Sequence, residues 1–413
     1  MTDGPVRFDV SFAGGPSGGS DPRGPRGPSR SSESSGSSES SNPNDPSGPD
    51  GPRGDSGGSG DSGGSGDSGG GGDSGPDGPR GDSGGSGDSG RGRVTLAGAL
   101  TLPAGDGPHP GVVLVGGSGP SDRDNDVLFP PIRDSLVDAG LAVLSYDKRG
   151  VGGSSGSWLD SGIAELAADA MAAVGFLRSR EEVAGRSVGL FGHSEGGWVA
   201  LRAAGRSRGQ GGDHSTTGRD GADDRGTDGC GDVAWVVTNS GPGVGPVQQE
   251  RYALATGARA MGVSEVDVEA CVALFDRIVA AARLDAGFDE VDALLRADPA
   301  HEVFSKFGVE LTAPMWRLMK RYADHDPAPD VARLQCPHLA LFGGADPIVP
   351  VVDSVTAFTT AACRAQAPTT EGENNGLTVE VFAGADHRVR VDGGTRFASG
   401  YLATLTRWVR DHA

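Results

Sequence analysis

Residues 192–197 read Gly-His-Ser-Glu-Gly-Gly, a G-x-S-x-G pattern. The apolar run Ser187–Phe191 leads into it and the helical-period Trp198-Val199-Ala200-Leu201 follows. In that setting Ser194 sits on a cramped turn from strand to helix. The flanking glycines make room, the turn lifts the hydroxyl clear of the sheet, and the helix N-terminus favours developing negative charge. In a chain with 72 glycines the bare pattern says little. Its place after a strand and before a helix points to a nucleophile rather than an inert packing turn. A serine nucleophile needs a base and an acid that orients the base. Two later stretches supply them. Gly343-Gly344-Ala345-Asp346 follows the run His338–Phe342, and Ala383-Gly384-Ala385-Asp386-His387 follows Leu377–Phe382. Ser194, Asp346 and His387 thus all stand just past the carboxyl end of a strand, where open α/β sheets carry their sites. His109, His301, His325, His338 and His412 lack that position. His214 lies in a polar stretch, and His193 is expected to point away at the turn. Asp386, beside His387, is expected to shape its loop rather than to act as the acid.

The elements that must position these residues are legible as short apolar runs. Gly111–Val115, Leu141–Ser145, Ser187–Phe191, Val233–Val237, His338–Phe342 and Leu377–Phe382 read as strands buried on both faces, as in a parallel sheet. Helical periodicity fills most gaps, including 160–179, 196–205 and 394–411. At the N-terminus Val6, Phe8, Val10 and Phe12 alternate with polar residues, and Val94, Leu96, Leu100 and Leu102 keep the same period of two. These two stretches predict half-buried antiparallel strands paired as a hairpin. The rhythm breaks over 246–335, where several helix-period segments follow one another, among them Ser264–Leu284 with Ser264 as N-cap. That region predicts a helical lid.

Three polar segments interrupt the pattern. Residues 14–92 consist only of Gly, Ser, Asp, Pro, Arg, Glu and Asn, so they hold nothing that could fill a core. From Gly48 to Gly90 every third residue is glycine, the collagen period. Proline is too sparse there for a triple helix, and a disordered repeat is expected instead. Residues 206–231 and 365–376 read as swollen surface loops. The expected organisation is an α/β core formed by 1–13, 93–245 and 336–413. Into it are set the disordered insertion 14–92 and the helical lid 246–335.

Composition narrows the function. The formal net charge is −20, and outside 14–92 the 30 basic and 44 acidic side chains still leave −14. Such acidity argues against nucleic acid as a partner. Only three of the 36 basic residues are lysines (Lys148, Lys306 and Lys320), a skew that fits a GC-rich genome or a salt-loving host. Cys230, Cys271, Cys336 and Cys363 are widely spaced, which predicts neither a disulfide framework nor a zinc site. No secretory signal pattern and no membrane-length apolar run is visible, so a cytoplasmic protein without membrane attachment is expected. No H-E-x-x-H or paired-histidine spacing suggests a metal, and no cofactor is expected.

The motifs taken together resemble the α/β-hydrolase superfamily. More narrowly, the chain is similar to its prokaryotic esterase-like members of the dienelactone-hydrolase-like and serine-aminopeptidase-like kinds. The blocks that carry the resemblance are Gly116-Gly117-Ser118-Gly119-Pro120-Ser121-Asp122-Arg123-Asp124, Tyr146-Asp147-Lys148-Arg149-Gly150-Val151-Gly152, Gly192–Gly197, and the stretches around Asp346 and His387. They span 93–412 and leave the polar segments uncovered. The order Ser194, Asp346, His387 is that of the superfamily. The resemblance implies an α/β-hydrolase fold and an oxyanion hole of two backbone N–H groups, one from Ser118 or Gly117 and the other from Glu195. No G-K-[ST] follows the glycine-rich run, so a phosphate cradle is the weaker reading. Asp147 and Arg149 either brace the loops of the site or form a solvated pair. The expected reaction is cleavage of a small-molecule carboxylic ester, then of a thioester, then of a peptide, through an acyl-enzyme. The rivals are a peptidase of the serine-aminopeptidase type and a non-catalytic scaffold whose working part is the Gly-X-Y insertion. Oligomeric state is not legible.

Overall fold

The computed structural model describes residues 4–16, 93–205, 233–307, 310–365 and 376–413. Residues 17–92 of the predicted insertion lie outside the described residues. So do the 206–231 segment with His214 and Cys230, and most of 365–376.

The chain opens with β1 (Val6–Ala13) and β2 (Thr95–Leu102), which pair antiparallel from Val6↔Leu102 to Ala13↔Thr95. Pairing continues past the strand, because Gly14 N–H donates to Val94 O at 2.7 Å. Then follow β3 (His109–Val115), α1 (Phe129–Asp138), β4 (Ala142–Tyr146), α2 (Ile163–Arg178), β5 (Val183–His193), α3 (Glu195–Ala204) and β6 (Val236–Asn239). A run of helices comes next: α4 (Pro246–Ala260), α5 (Glu265–Arg283), α6 (Phe288–Ala297), α7 (His301–Phe307), α8 (Ala313–Tyr322) and α9 (Ala328–Ala332). The chain ends with β7 (His338–Gly343), α10 (Val351–Ala365), β8 (Leu377–Phe382), the short pair β9 (Arg390–Val391) and β10 (Arg396–Phe397), and α11 (Tyr401–His412).

The sheet has eight strands in the order β1-β2-β4-β3-β5-β6-β7-β8. β2 meets β4 antiparallel, and every pair from β4–β3 to β7–β8 is parallel. Alternate side chains of the central strands feed two cores. Val113, Val115, Leu144, Leu190 and Phe342 pack on one face with α2, α3 and α10. Val112, Leu114, Val143, Phe191 and Leu341 pack on the other with α1 and α11. Period-two alternation between two apolar faces makes these strands read as unbroken apolar runs.

Two elements differ from the sequence reading. The run Leu377–Phe382 is the sheet's edge rather than a strand buried on both faces, and Thr378, Glu380 and Val381 are exposed. Its alternation is that of a strand with one partner. The helix expected over 394–411 begins only at Tyr401, because Gly393, Gly394 and Gly400 take positive φ and the β9–β10 pair precedes it. Helices fill 246–335; α4–α8 own a separate apolar cluster, with Leu254, Leu274, Phe275, Ile278, Val291 and Trp316 at its centre, whereas Val331 of α9 packs in the main core with α2, α3 and α10. Ser264 caps α5, its hydroxyl accepting from Asp267 N–H at 3.3 Å.

Candidate active site

Ser194 occupies the turn between β5 and α3 at φ 54°, ψ −121°, a conformation that a non-glycine residue holds only under constraint. The constraints are visible. Ser194 N–H donates to Asn239 O at 3.0 Å, and Gly197 N–H donates to Ser194 O at 2.8 Å. A methyl group at Gly192 would run into Gly196 O, and one at Gly196 would run into Val115 O. The glycines of the motif are therefore steric requirements of the turn. Ser194 is half-buried, with its hydroxyl at the carboxyl end of the sheet.

His387 lies in the loop after β8, and its Nδ1 is 2.8 Å from Asp346 Oδ2 in the loop after β7. The second carboxylate oxygen of Asp346 accepts from Ile348 N–H at 2.8 Å and Val349 N–H at 2.9 Å. A carboxylate so held is fixed in place and can anchor an imidazole. Helix α4 seats on the same loop. Tyr252 OH donates to Asp346 O at 3.0 Å and Gln249 Nε2 donates to Ile348 O at 3.2 Å. Asp386 closes its own loop, one carboxylate oxygen accepting from Arg388 N–H and Arg390 N–H, both at 2.9 Å.

The elbow and the histidine loop meet through His193, whose ring centre is 5.0 Å from that of His387. His193 is buried, with Nδ1 3.2 Å from Asn239 O and 3.1 Å from Asn239 Nδ2. Asn239 is fixed in turn by Tyr401 OH, which donates to its Oδ1 at 2.9 Å. Burial, followed by the proximity of His387, holds the His193 pKa well below the usual imidazole range. His193 is thus a neutral neighbour behind His387. In this structure Ser194 Oγ makes no hydrogen bond to His387 among the described residues. Such bonds often shorten only when substrate is bound.

The loop after β3 lies against the serine, where a methyl at Gly117 would be 3.4 Å from Ser194 Cβ. Gly117 and Ser118 fare differently as oxyanion donors. Gly117 N–H donates to Asn125 Oδ1 at 3.2 Å, which also accepts from Ser121 Oγ at 2.8 Å. Gly117 N–H is therefore committed, whereas Ser118 N–H and Glu195 N–H have no acceptor among the described residues.

The charged residues after β4 are buried braces. Asp147 binds Arg123 through Nε at 3.0 Å and Nη2 at 2.8 Å, and also accepts from Gly153 N–H at 3.0 Å. Burial alone would raise the Asp147 pKa, but the hydrogen bonds from Arg123 and the two backbone N–H groups leave it lowered. Arg149 is paired with Asp169 of α2 at 2.6 and 2.7 Å. Lys148, between them, had no role in the sequence reading. Its ammonium donates to Gly117 O and, at 2.8 Å, to Glu195 Oε1. The Tyr322 hydroxyl of α8 faces the same carboxylate, and burial and that carboxylate together push its pKa up. The one available signal was the scarcity of lysine: of three, only Lys148 is buried. Asn125, Asn239 and Tyr401 carried no sequence signal.

Among the described residues no cluster of His, Cys, Asp and Glu could hold a metal ion, and no helix is long and apolar enough to cross a membrane.

The profile of the Alpha/beta hydrolase family matches residues 112–399. A stretch of 120 residues is 37% identical to Esterase EstD of Thermotoga maritima, covering 28% of this chain and 29% of that protein. The aligned part is thus under a third of that relative's length. Similar solved structures include the Pyrococcus furiosus esterase Pf2001, with 16% identity over 78% of this chain and 87% of that one and a TM-score of 0.46. Est1E from Butyrivibrio proteoclasticus, with ferulic acid bound, gives 17% identity over 77% and 94% and a TM-score of 0.44.

Proposed function

The chain belongs to the alpha/beta hydrolase family, and from that premise we propose that it hydrolyses a small-molecule carboxylic ester through an acyl-enzyme. The observation that carries the reading is the 2.8 Å His387–Asp346 bond at the strand ends beside a serine held at positive φ. The name of the Thermotoga relative, an esterase, favours an ester over other acyl bonds.

In this mechanism Ser194 Oγ attacks the acyl carbon while His387 Nε2 takes its proton. Asp346, on Nδ1–H, holds the imidazole in the required tautomer and balances its positive charge. The carbonyl oxygen becomes an oxyanion and accepts from Ser118 N–H and from Glu195 N–H at the start of α3. The tetrahedral species then collapses. The C–O bond to the alcohol breaks, and the alcohol leaves with the proton from His387. Water adds to the acyl-serine by the same route in reverse, releasing the carboxylic acid and restoring Ser194. Because His193 is neutral, it adds no positive charge of its own against the His387 cation. We assign helices α4–α8 to a lid whose inner surface selects the acyl or alcohol group.

Purified protein treated with a fluorophosphonate probe should carry the label on Ser194, as read by peptide mapping. A series of p-nitrophenyl esters from acetate to palmitate then ranks acyl length. Protein that takes no label at Ser194 and turns over none of these esters would sink the proposal.

A further inference from the structure

Lys148 is a buried lysine in contact with two parts of the site that are far apart in sequence. Its ammonium donates to Gly117 O in the loop after β3 and to Glu195 Oε1 at the start of α3. Its backbone N–H donates to Ser121 O at 3.0 Å, so the residue is fastened to the 116–121 loop at both ends. The other two lysines are not buried.

A trans peptide points its C=O and the following N–H in opposite directions. Whatever holds Gly117 O therefore also aims Ser118 N–H. Lys148 draws that carbonyl inward, which turns Ser118 N–H to the opposite side, where Ser118 is exposed and the loop borders Ser194. The other end of Gly117 is fixed as well, since its N–H is held by Asn125 Oδ1. With both sides of Gly117 tied down, the Ser118 N–H direction is set before substrate arrives. The second contact has its own electrostatic consequence. Glu195 is a buried carboxylate on the residue whose N–H would face the oxyanion. Unpaired, it would oppose the negative charge that develops there, and Lys148 neutralises it.

We propose that Lys148 is a positioning residue for ester hydrolysis, which aims Ser118 N–H at the oxyanion by holding Gly117 O. This rests on the serine-esterase reading of the site. The lysine touches no substrate atom; it acts through the Gly117–Ser118 peptide.

Two variants test it. Lys148→Met removes both contacts. Lys148→Met/Glu195→Gln removes them without leaving a buried carboxylate unpaired, so it stays informative if the single variant fails to fold. In both, kcat should fall by about a hundredfold, the cost typical of losing one oxyanion donor, with KM within about threefold of wild type. Affinity for a trifluoromethyl ketone, which forms a tetrahedral adduct with the serine, should fall in step with kcat. A purely structural role would lower the melting temperature without this split between kcat and KM. Recovery of wild-type kcat in the double variant would overturn the proposal, leaving Lys148 only as a counter-ion to Glu195. A loss confined to KM would overturn it too. Fluorophosphonate labelling of the wild type reports separately on the esterase reading. A labelled, active wild type with unimpaired Lys148 variants refutes only the role given to Lys148.

Discussion

The carboxylates of Asp346 and Asp386 are each held by backbone N–H groups of their own loops, and this makes substitutions at the two positions separable. Ser194→Ala or His387→Ala should lower kcat on an accepted ester by about 10⁴–10⁶, since such residues act as a unit. Asp346→Asn should cost on the order of 10⁴ by favouring the wrong imidazole tautomer. Asp386→Asn should stay within about tenfold of wild type, because its carboxylate serves only its own loop. Steady-state kinetics on the four variants settles the choice of acid; a greater loss at Asp386 than at Asp346 would reverse it. A different buried histidine contributes to acid stability. His338 is buried with Nε2 2.9 Å from Thr238 Oγ1, its Nδ1 lacks a partner among the described residues, and burial pushes its pKa down to about 3. An unfolded histidine titrates near 6.5. Below that pH the unfolded chain takes up a proton that the folded state refuses. The stability due to neutral His338 is full above about pH 6.5 and is lost progressively as the pH falls to about 3. The slope is at most about 1.4 kcal/mol per pH unit. Urea midpoints between pH 4 and 7 should fall less steeply in Thr238→Val/His338→Leu than in wild type, and equal slopes would refute this.

Among the elements, the loop after β4 adds a side-chain tie between the antiparallel start and the parallel body, beside the β2–β4 pairing. Arg149 and Asp169 are almost fully buried, and Asp169 Oδ1 also accepts from Gly15 N–H at 2.8 Å, just beyond β1. A buried pair adds little net stability, but breaking one strands a charge in the interior. Asp169→Ala should therefore cost about 3–5 kcal/mol in urea unfolding. Ser264→Ala, which removes only the α5 cap, should cost about 1 kcal/mol. If the two cost the same, the brace has been misjudged. Helices α4–α8 have an apolar cluster of their own, yet α4 reaches the Asp346 loop through Tyr252 and Gln249. The proposed lid and the loop bearing the proposed acid are thus joined by hydrogen bonds.

For the molecule as a whole, net charge and the long polar segment matter most. With −14 outside residues 14–92, like-charge repulsion should weaken the fold at low ionic strength. The melting temperature should rise between low and molar KCl; a flat profile would leave base composition of the genome as the reason for the acidity. Residues 17–92 contain no side chain able to fill a core, and they join two strands whose pairing runs on to Gly14 and Val94. Replacing them with a short glycine-containing turn should leave kcat/KM unchanged. It should also raise stability by up to about 2–3 kcal/mol, the closure entropy of so long a loop. Sedimentation of the shortened protein tests the rival idea, since conversion of a native trimer to monomer would mean that the Gly-X-Y repeat assembles the protein.

The amino-acid sequence alone determined the features that depend on neighbours in the chain. The turn around Ser194, the loops bearing Asp346 and His387, the apolar runs of the central strands and the Ser264 cap all follow from residue period and turn chemistry within about ten positions. Even there, the edge position of β8 was hidden, since an apolar run does not say how many partners a strand has. Tertiary structure decided what meets across the sheet. Lys148 reaches Gly117 and Glu195, 31 and 47 residues away, only because β4, β3 and β5 lie side by side in that order. Tyr401 meets Asn239 across 162 residues because α11 packs beneath the central strands. That Gly117 N–H is taken while Ser118 N–H is left without an acceptor among the described residues likewise depends on a partner outside the Gly116–Gly119 motif, Asn125. No local pattern specifies strand order, because it is set by the simultaneous burial of both faces of the sheet.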